Sequence, residues 1–194
     1  MAAIKTENFE KVTVESAGQL RNWLLKNFEH EQSVWLVTFL KQVEEKYVSR
    51  DEVLDELVCF GWIDGIRRKL DSQRTMQLIS PRKTQYWAKS YKDRVGRLTQ
   101  SGRMHASGLQ SVATAKKNGL WTFMDDVDAL VIPDDLSRQL RKRKTAIVNF
   151  ESSSPSYRRN VLRWLKLAKT ETTRRKRIQK IFDFTSRNER IPQM

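Results

Sequence analysis

One run of the chain concentrates the side chains that can do chemistry. Between Leu57 and Tyr91 stand Cys59, Trp62, Asp64, Arg67, Arg82, Lys83 and Trp87. Asp64 sits between aromatic and glycine residues, with Arg67, Arg68, Arg74 and Arg82 close in sequence. That pattern predicts a carboxylate held by guanidinium groups, which either orients a ligand or fixes the fold. The structural reading comes first, because a buried carboxylate needs a partner in any case. In the functional reading Arg67, Arg82 and Lys83 surround an anionic group, and Trp62 and Trp87 are flat walls on which a ring stacks. The ligand-binding candidates are therefore Trp62, Asp64, Arg67, Arg82, Lys83 and Trp87.

Other chemistries find little support. Cys59 is the single cysteine, has no histidine near it in sequence, and reads as a small buried hydrophobe. His30 and His105 are the two imidazoles. His30 reads as a solvated loop residue between glutamates, and His105 as a surface or capping residue ahead of a helix. A multi-cysteine or multi-histidine metal site is excluded by these counts. Asp125, Asp126 and Asp128 lack the glycine and terminal glutamate of a calcium loop. With no glycine-rich phosphate loop, G-x-S-x-G or H-E-x-x-H motif, no catalytic residue, metal or cofactor is assigned.

The elements that position the candidates follow from periodicity and punctuation. Residues 1 to 15 read as extended, and Ser16 with Gln19 opens an amphipathic helix as a capping box. Val34 to Leu40 is a central strand, and Ser49 with Glu52 opens a second helix that stops at Gly61. Trp62 to Leu70 and Arg74 to Ser80 form a hairpin around Asp71-Ser72-Gln73, with Gly65 marking a bulge or a close backbone approach. A helix from about Tyr86 to Gln100 follows, then one capped by Ser107 and ending at Gly119. Trp121 to Val131 reads as a connector. Beyond Pro133 come short helices, one opened by Ser154-Pro155 and the last capped by Thr170, with an end that frays from Arg190 to Met194. The expected fold is α+β and mostly helical, with a small antiparallel sheet of about three strands in the N-terminal half. Residues 1–132 form that core; residues 133–194 form a basic helical lobe docked on it.

Charge is placed unevenly along the 194 residues. Residues 1–136 hold 20 lysines and arginines against 19 acids, whereas residues 137–194 hold 17 against 4. Such a field draws polyanions at long range, although charge runs equally serve solubility. The tail helices keep regular apolar stripes, so they dock on a core and are not a disordered arm. Arg158, Arg159, Arg163, Arg174, Arg175, Lys176 and Arg177 are the polyanion-binding candidates. No apolar run approaches a membrane span, the N-terminus lacks a signal-peptide core, and the lone cysteine agrees with a reducing, cytoplasmic compartment.

The order CFGWIDG, PRK, W-A-K and GRM, with later P-D-D-L, S-Y-R-R and A-K-x-x-x-T-R, resembles the bacteriocin-protection, YdeI or OmpD-associated family. Where that family has W-S-K-x-N, this chain has Trp87-Ala88-Lys89-Ser90-Tyr91. The resemblance implies a stress-associated protein, and the residues suit a non-catalytic one whose basic surface binds an acidic macromolecule. Two alternatives stand beside it. One is a nucleic-acid binder that contacts phosphates through the tail and stacks bases near Trp62 and Trp87. The other is a small enzyme acting on an anionic substrate, with Asp64 or His105 handling protons.

Overall fold

The structure, a computed structural model, describes residues 8–192. It divides into two compact units, Met1–Thr122 and Phe123–Met194, and the fold class is α+β, as expected. The first unit is built on a four-stranded sheet in the order β1-β2-β4-β3: β1 Lys11–Thr13, β2 Val34–Phe39, β3 Trp62–Lys69 and β4 Arg74–Pro81. The strand beyond the expected three is β1, which pairs parallel to β2, so the sheet is mixed rather than antiparallel. Its three residues show almost no period in the sequence; Val12 alone points into the core.

Register sets which side chains share a face. Val34, Leu36 and Thr38 of β2 stand beside Ile79, Gln77 and Thr75 of β4. Across β4, Asp64 lies opposite Ile79 but Arg67 lies opposite Gln77, so β3 carries one extra residue at Gly65 and Ile66. This is the bulge that Gly65 announces. A strict alternation would separate Asp64 from Arg67; the bulge puts both on the core-side face with Trp62.

On that face lie α1 (Ala17–Asn27) and α2 (Arg50–Phe60). Both begin as expected: Ser16 accepts from the Gln19 amide, and Ser49 with Glu52 completes a reciprocal capping box. Gly61 ends α2 at φ 75°, a left-handed conformation that favours glycine. The second half of α2 is buried on every side, Asp55 and Glu56 included, because α1, β3, α3 (Lys89–Gln100) and α4 (Ala106–Lys117) all pack against it. A Cβ at Gly108 would sit 2.1 Å from the Cys59 carbonyl oxygen, so α4 crosses the end of α2 backbone to backbone.

Two boundaries differ from the sequence reading. The third helix starts at Lys89, three residues later than Tyr86, because the Trp87 amide is held by the Leu120 carbonyl at 3.1 Å. His105, not Ser107, is the N-cap of α4: its ring nitrogen accepts from the Ser107 amide.

The second unit contains α5 (Asp125–Asp128), within the stretch read as a connector, then α6 (Asp134–Leu140), α7 (Lys144–Ser152), α8 (Pro155–Lys166) and α9 (Glu171–Ser186). Central to it is α9, which packs on α6, α7 and α8 and buries Ile178, Ile181 and Thr185. Leu136, Leu140, Ala146, Phe150, Val161 and Leu165 complete the core. The C-terminal end is tied by the Ile191 amide, which donates to the Tyr157 hydroxyl at 3.0 Å. The expectation of a fraying end therefore holds for neither Ile191, which is buried, nor its amide; residues 193 and 194 lie outside the described residues.

Candidate functional site

The bulged hairpin assembles a hydrogen-bonded chain rather than an ion pair. Arg67 Nη2 donates to Gln77 Oε1 at 2.8 Å, and Gln77 Nε2 donates to Asp64 Oδ2 at 3.0 Å. The other carboxylate oxygen accepts from the Tyr91 hydroxyl. Burial, reinforced by the bond to Asp64, pushes the Tyr91 phenol well above its usual range, so the hydroxyl remains a donor. The expected pairing of Asp64 with a guanidinium is corrected accordingly. Arg67 reaches it only through Gln77, Arg74 pairs with Asp71 at 2.7 Å, and Arg68 lies over Trp35. Gln77, whose role the sequence reading missed, is buried between the two charges.

Arg82 is the fourth arginine, placed just past β4 by its own amide, which donates to Gly61 O at 2.9 Å. Its guanidinium carbon lies 4.0 Å from the Trp87 ring centroid and 4.9 Å from that of Tyr91, and Nη1 donates to Tyr86 O at 3.2 Å. Nε and Nη2 are buried without a hydrogen-bond partner. Burial lowers this guanidinium to about 10, although the nearby Tyr91 and Asp64 oppose the shift. Arg82 is thus a desolvated cation that makes no direct ion pair.

Trp62 and Trp87 are not open walls. Each is 1% exposed. Trp23 meets Trp62 edge-on at 5.5 Å and His30 stacks over it at 6.4 Å, while Arg82 and Trp121 cover Trp87. Lys83, by contrast, is exposed at the mouth of a cleft of about 240 Å³ that Arg82 and Trp87 also line. Asp64 and Arg67 do not line it. The hairpin's candidate residues therefore fall into two groups, a structural staple running from buried Trp62 through half-buried Asp64 to exposed Arg67, and a cleft margin (Arg82, Lys83, Trp87).

A second staple was missed in the sequence. Asp55 and Glu56 are 7% and 2% exposed and are held by arginines from three segments. Arg94 and Arg97 bind Asp55, while Arg21, at 2.9 Å, and Arg103 bind Glu56. Burial raises the Asp55 carboxyl, but the bonds from Arg97 and Arg94 outweigh it and hold the group below its usual range. The signal was present: Asp55 and Glu56 fall on the apolar face of an otherwise well-patterned helix.

In the second unit the seven polyanion candidates separate by what they touch. Arg174 grips Asp135 with its Nε and Nη2 at 2.6 and 2.9 Å, and Arg177 donates to the Trp164 carbonyl while its guanidinium lies 4.8 Å from the Trp164 ring. Both hold helices together. Arg158 lies against Phe150, and its Nε, like that of Arg163, is buried without a partner. Arg159 is half-buried on α8. Arg175 is exposed beside Glu171 at 3.3 Å, and Lys176 is exposed without an ion pair. Lys142, Lys144 and Lys169, which were not among the candidates, are likewise exposed and unpaired among the described residues. One further arrangement went unread: Lys180 lies 5.9 Å from both the Trp164 and Phe184 rings, and Arg187 lies 5.0 Å from Phe184. Arg177, Lys180, Phe184 and Arg187 recur at helical spacing, so cations and rings alternate along one side of α9.

Among the described residues no helix is long and apolar enough to cross a membrane, and no cluster of histidine, cysteine or acidic residues is arranged to hold a metal ion. Residues 12–111 match the family model described as a domain of unknown function (DUF8412). Residues 129–188 match the model described as Bacteriocin-protection, YdeI or OmpD-Associated. The CFGWIDG hairpin thus lies in the first match, and P-D-D-L, S-Y-R-R and A-K-x-x-x-T-R lie in the second. No match was found among the curated proteins or the solved structures.

Proposed function

The chain belongs to the DUF8412 family, whose model spans more than half of it, and continues into a bacteriocin-protection, YdeI or OmpD-associated segment; from that premise we propose a stress-associated, non-catalytic protein that binds an acidic macromolecule through its C-terminal unit. The observation that carries this reading is the surface of α9. Its cations are displayed on a folded, cored helix, and Lys176 and Lys180 are free of acidic partners. Cations held at fixed positions attract a polyanion without the ordering entropy that a flexible arm loses on binding.

A second reading narrows the partner to nucleic acid. The alternation of Lys180 and Arg187 with Trp164 and Phe184 favours it, because phosphates meet cations while bases meet rings on such a surface. The bases would stack here, in the second unit, rather than on Trp62 and Trp87. The enzyme reading has less to draw on: both Asp64 oxygens accept internal hydrogen bonds, and the His105 ring caps α4.

The test is fluorescence anisotropy of a labelled single-stranded oligonucleotide with the full chain and with a Lys176→Ala, Lys180→Ala variant. If both lysines meet phosphates, the variant binds several-fold more weakly, and its salt dependence is shallower by about one for each lost contact. The melting temperature stays within a degree or two, since neither side chain is buried. Equal affinity of variant and parent would remove α9 as the binding surface.

A further inference from the structure

The first unit carries a separate opening with the chemistry of a binding site. Its cleft of about 240 Å³ lies between the segment after β4 and one face of α4. That face is unusual in composition. Ser107, Gln110, Ser111 and Thr114 occur at i, i+3, i+4 and i+7, the spacing at which a packed helix would present apolar residues, and all four line the cleft. Ser107 is used within the fold, donating to Phe60 O at 3.0 Å. The side chains of Gln110, Ser111 and Thr114 make no hydrogen bond among the described residues, so an amide and two hydroxyls remain unspent. Opposite them stand Arg82, short of partners, and Lys83, exposed and unpaired.

We propose that this cleft binds a small hydroxylated organic anion, its phosphate or carboxylate meeting Lys83 and the field of Arg82 and its hydroxyls meeting Gln110, Ser111 and Thr114. The charge argument is that a desolvated guanidinium that makes no direct ion pair, with Nε and Nη2 lacking hydrogen-bond partners, raises the local potential, and a bound anion relieves it. The selectivity argument is that neutral donors and acceptors arranged in a row discriminate a hydroxyl-bearing molecule from a bare anion. Size argues the same way: the cleft lies below the roughly 300–1,000 Å³ usual for drug-sized ligands, which suits a sugar phosphate or hydroxy acid and leaves no room for a polymer. Gly61, at φ 75°, lets α4 bring Ser107 and Ser111 close to the end of α2, since a Cβ there would stand 2.9 Å from Ser111 Cβ. The site is independent of the α9 surface, and its failure would leave the nucleic-acid reading where it is.

Isothermal titration calorimetry of the full chain with glucose 6-phosphate, citrate and inorganic phosphate tests it, with tryptophan fluorescence as a second readout because Trp87 lines the cleft. The expected result is saturable binding of glucose 6-phosphate or citrate, at least tenfold tighter than inorganic phosphate. Whichever of the two binds identifies the head group. Lys83→Ala with Thr114→Val changes two exposed side chains, should leave the melting temperature unchanged, and should weaken that binding at least tenfold. Absence of saturable binding by both organic anions at millimolar concentration overturns the proposal. So does binding that survives this variant but is lost with Lys176→Ala and Lys180→Ala, which would place it on the second unit.

Discussion

At the scale of single residues, the chemistry-bearing side chains of the hairpin divide between holding the fold and facing solvent, and the difference is measurable. Asp64 accepts from Gln77 and Tyr91, so Asp64→Asn sets an amide against two donors. A destabilisation of about 1–3 kcal/mol follows without any ligand, read as a lower urea midpoint; an unchanged midpoint would show that the carboxylate holds nothing. Asp55 makes a pH prediction. Its carboxyl is held below the usual range in the folded protein, so the unfolded chain binds a proton more readily. The stability it contributes is fully present above the unfolded value near ~4 and is lost as pH falls through the lower folded value. Asp55→Asn should therefore destabilise by on the order of 3 kcal/mol at neutral pH and flatten the acid limb of the melting curve. An acid limb as steep as the parent's would assign that limb to other carboxylates. The candidate residues were legible from composition, but their division was not. Whether Arg67 reaches Asp64 or stops at Gln77 depends on one bulged residue, and whether Trp87 is a wall depends on Arg82 lying over it.

At the scale of elements, capping and periodicity were the readable signals. Ser16, Ser49, Ser154 and Thr170 each cap the helix that the sequence assigned to them. Less readable was the edge strand β1, whose three residues are defined by pairing with β2 rather than by pattern. The start of α3 was displaced for a related reason: the Trp87 amide bonds to Leu120, a contact across more than thirty residues that no local propensity encodes. Ala88 then occupies the N-cap with no side-chain bond, at the position where the resembled family carries serine. Ala88→Ser should add about 1 kcal/mol through the missing cap, seen as a melting temperature a few degrees higher; no rise would mean that another group already satisfies those amides. The crossing of α2 and α4 makes the opposite prediction. Gly108→Ala forces a methyl into the Cys59 carbonyl and should destabilise by about 3 kcal/mol or more, whereas near-parental stability would show that the helices can part.

At the scale of the whole molecule, the decisive property is that excess positive charge lies on a cored helical unit. Of 37 lysines and arginines, 17 follow residue 136, where only 4 of the 23 acids are found. Charge asymmetry of this size is plain in the sequence. The sequence does not show how much of it is spent internally. Arg174 on Asp135, Arg177 on Trp164, Lys166 on Asp126 and Arg187 on Glu189 are engaged within the unit, and what remains for a partner on α9 is Lys176 and Lys180. The most direct measurement is the affinity of the full chain for a single-stranded oligonucleotide across a salt series. If α9 and its neighbours contact four or more phosphates, the slope of log affinity against log salt is about −3 or steeper. Absence of binding at low salt, or a slope near zero, would contradict the account and leave the basic helices as a solvated surface.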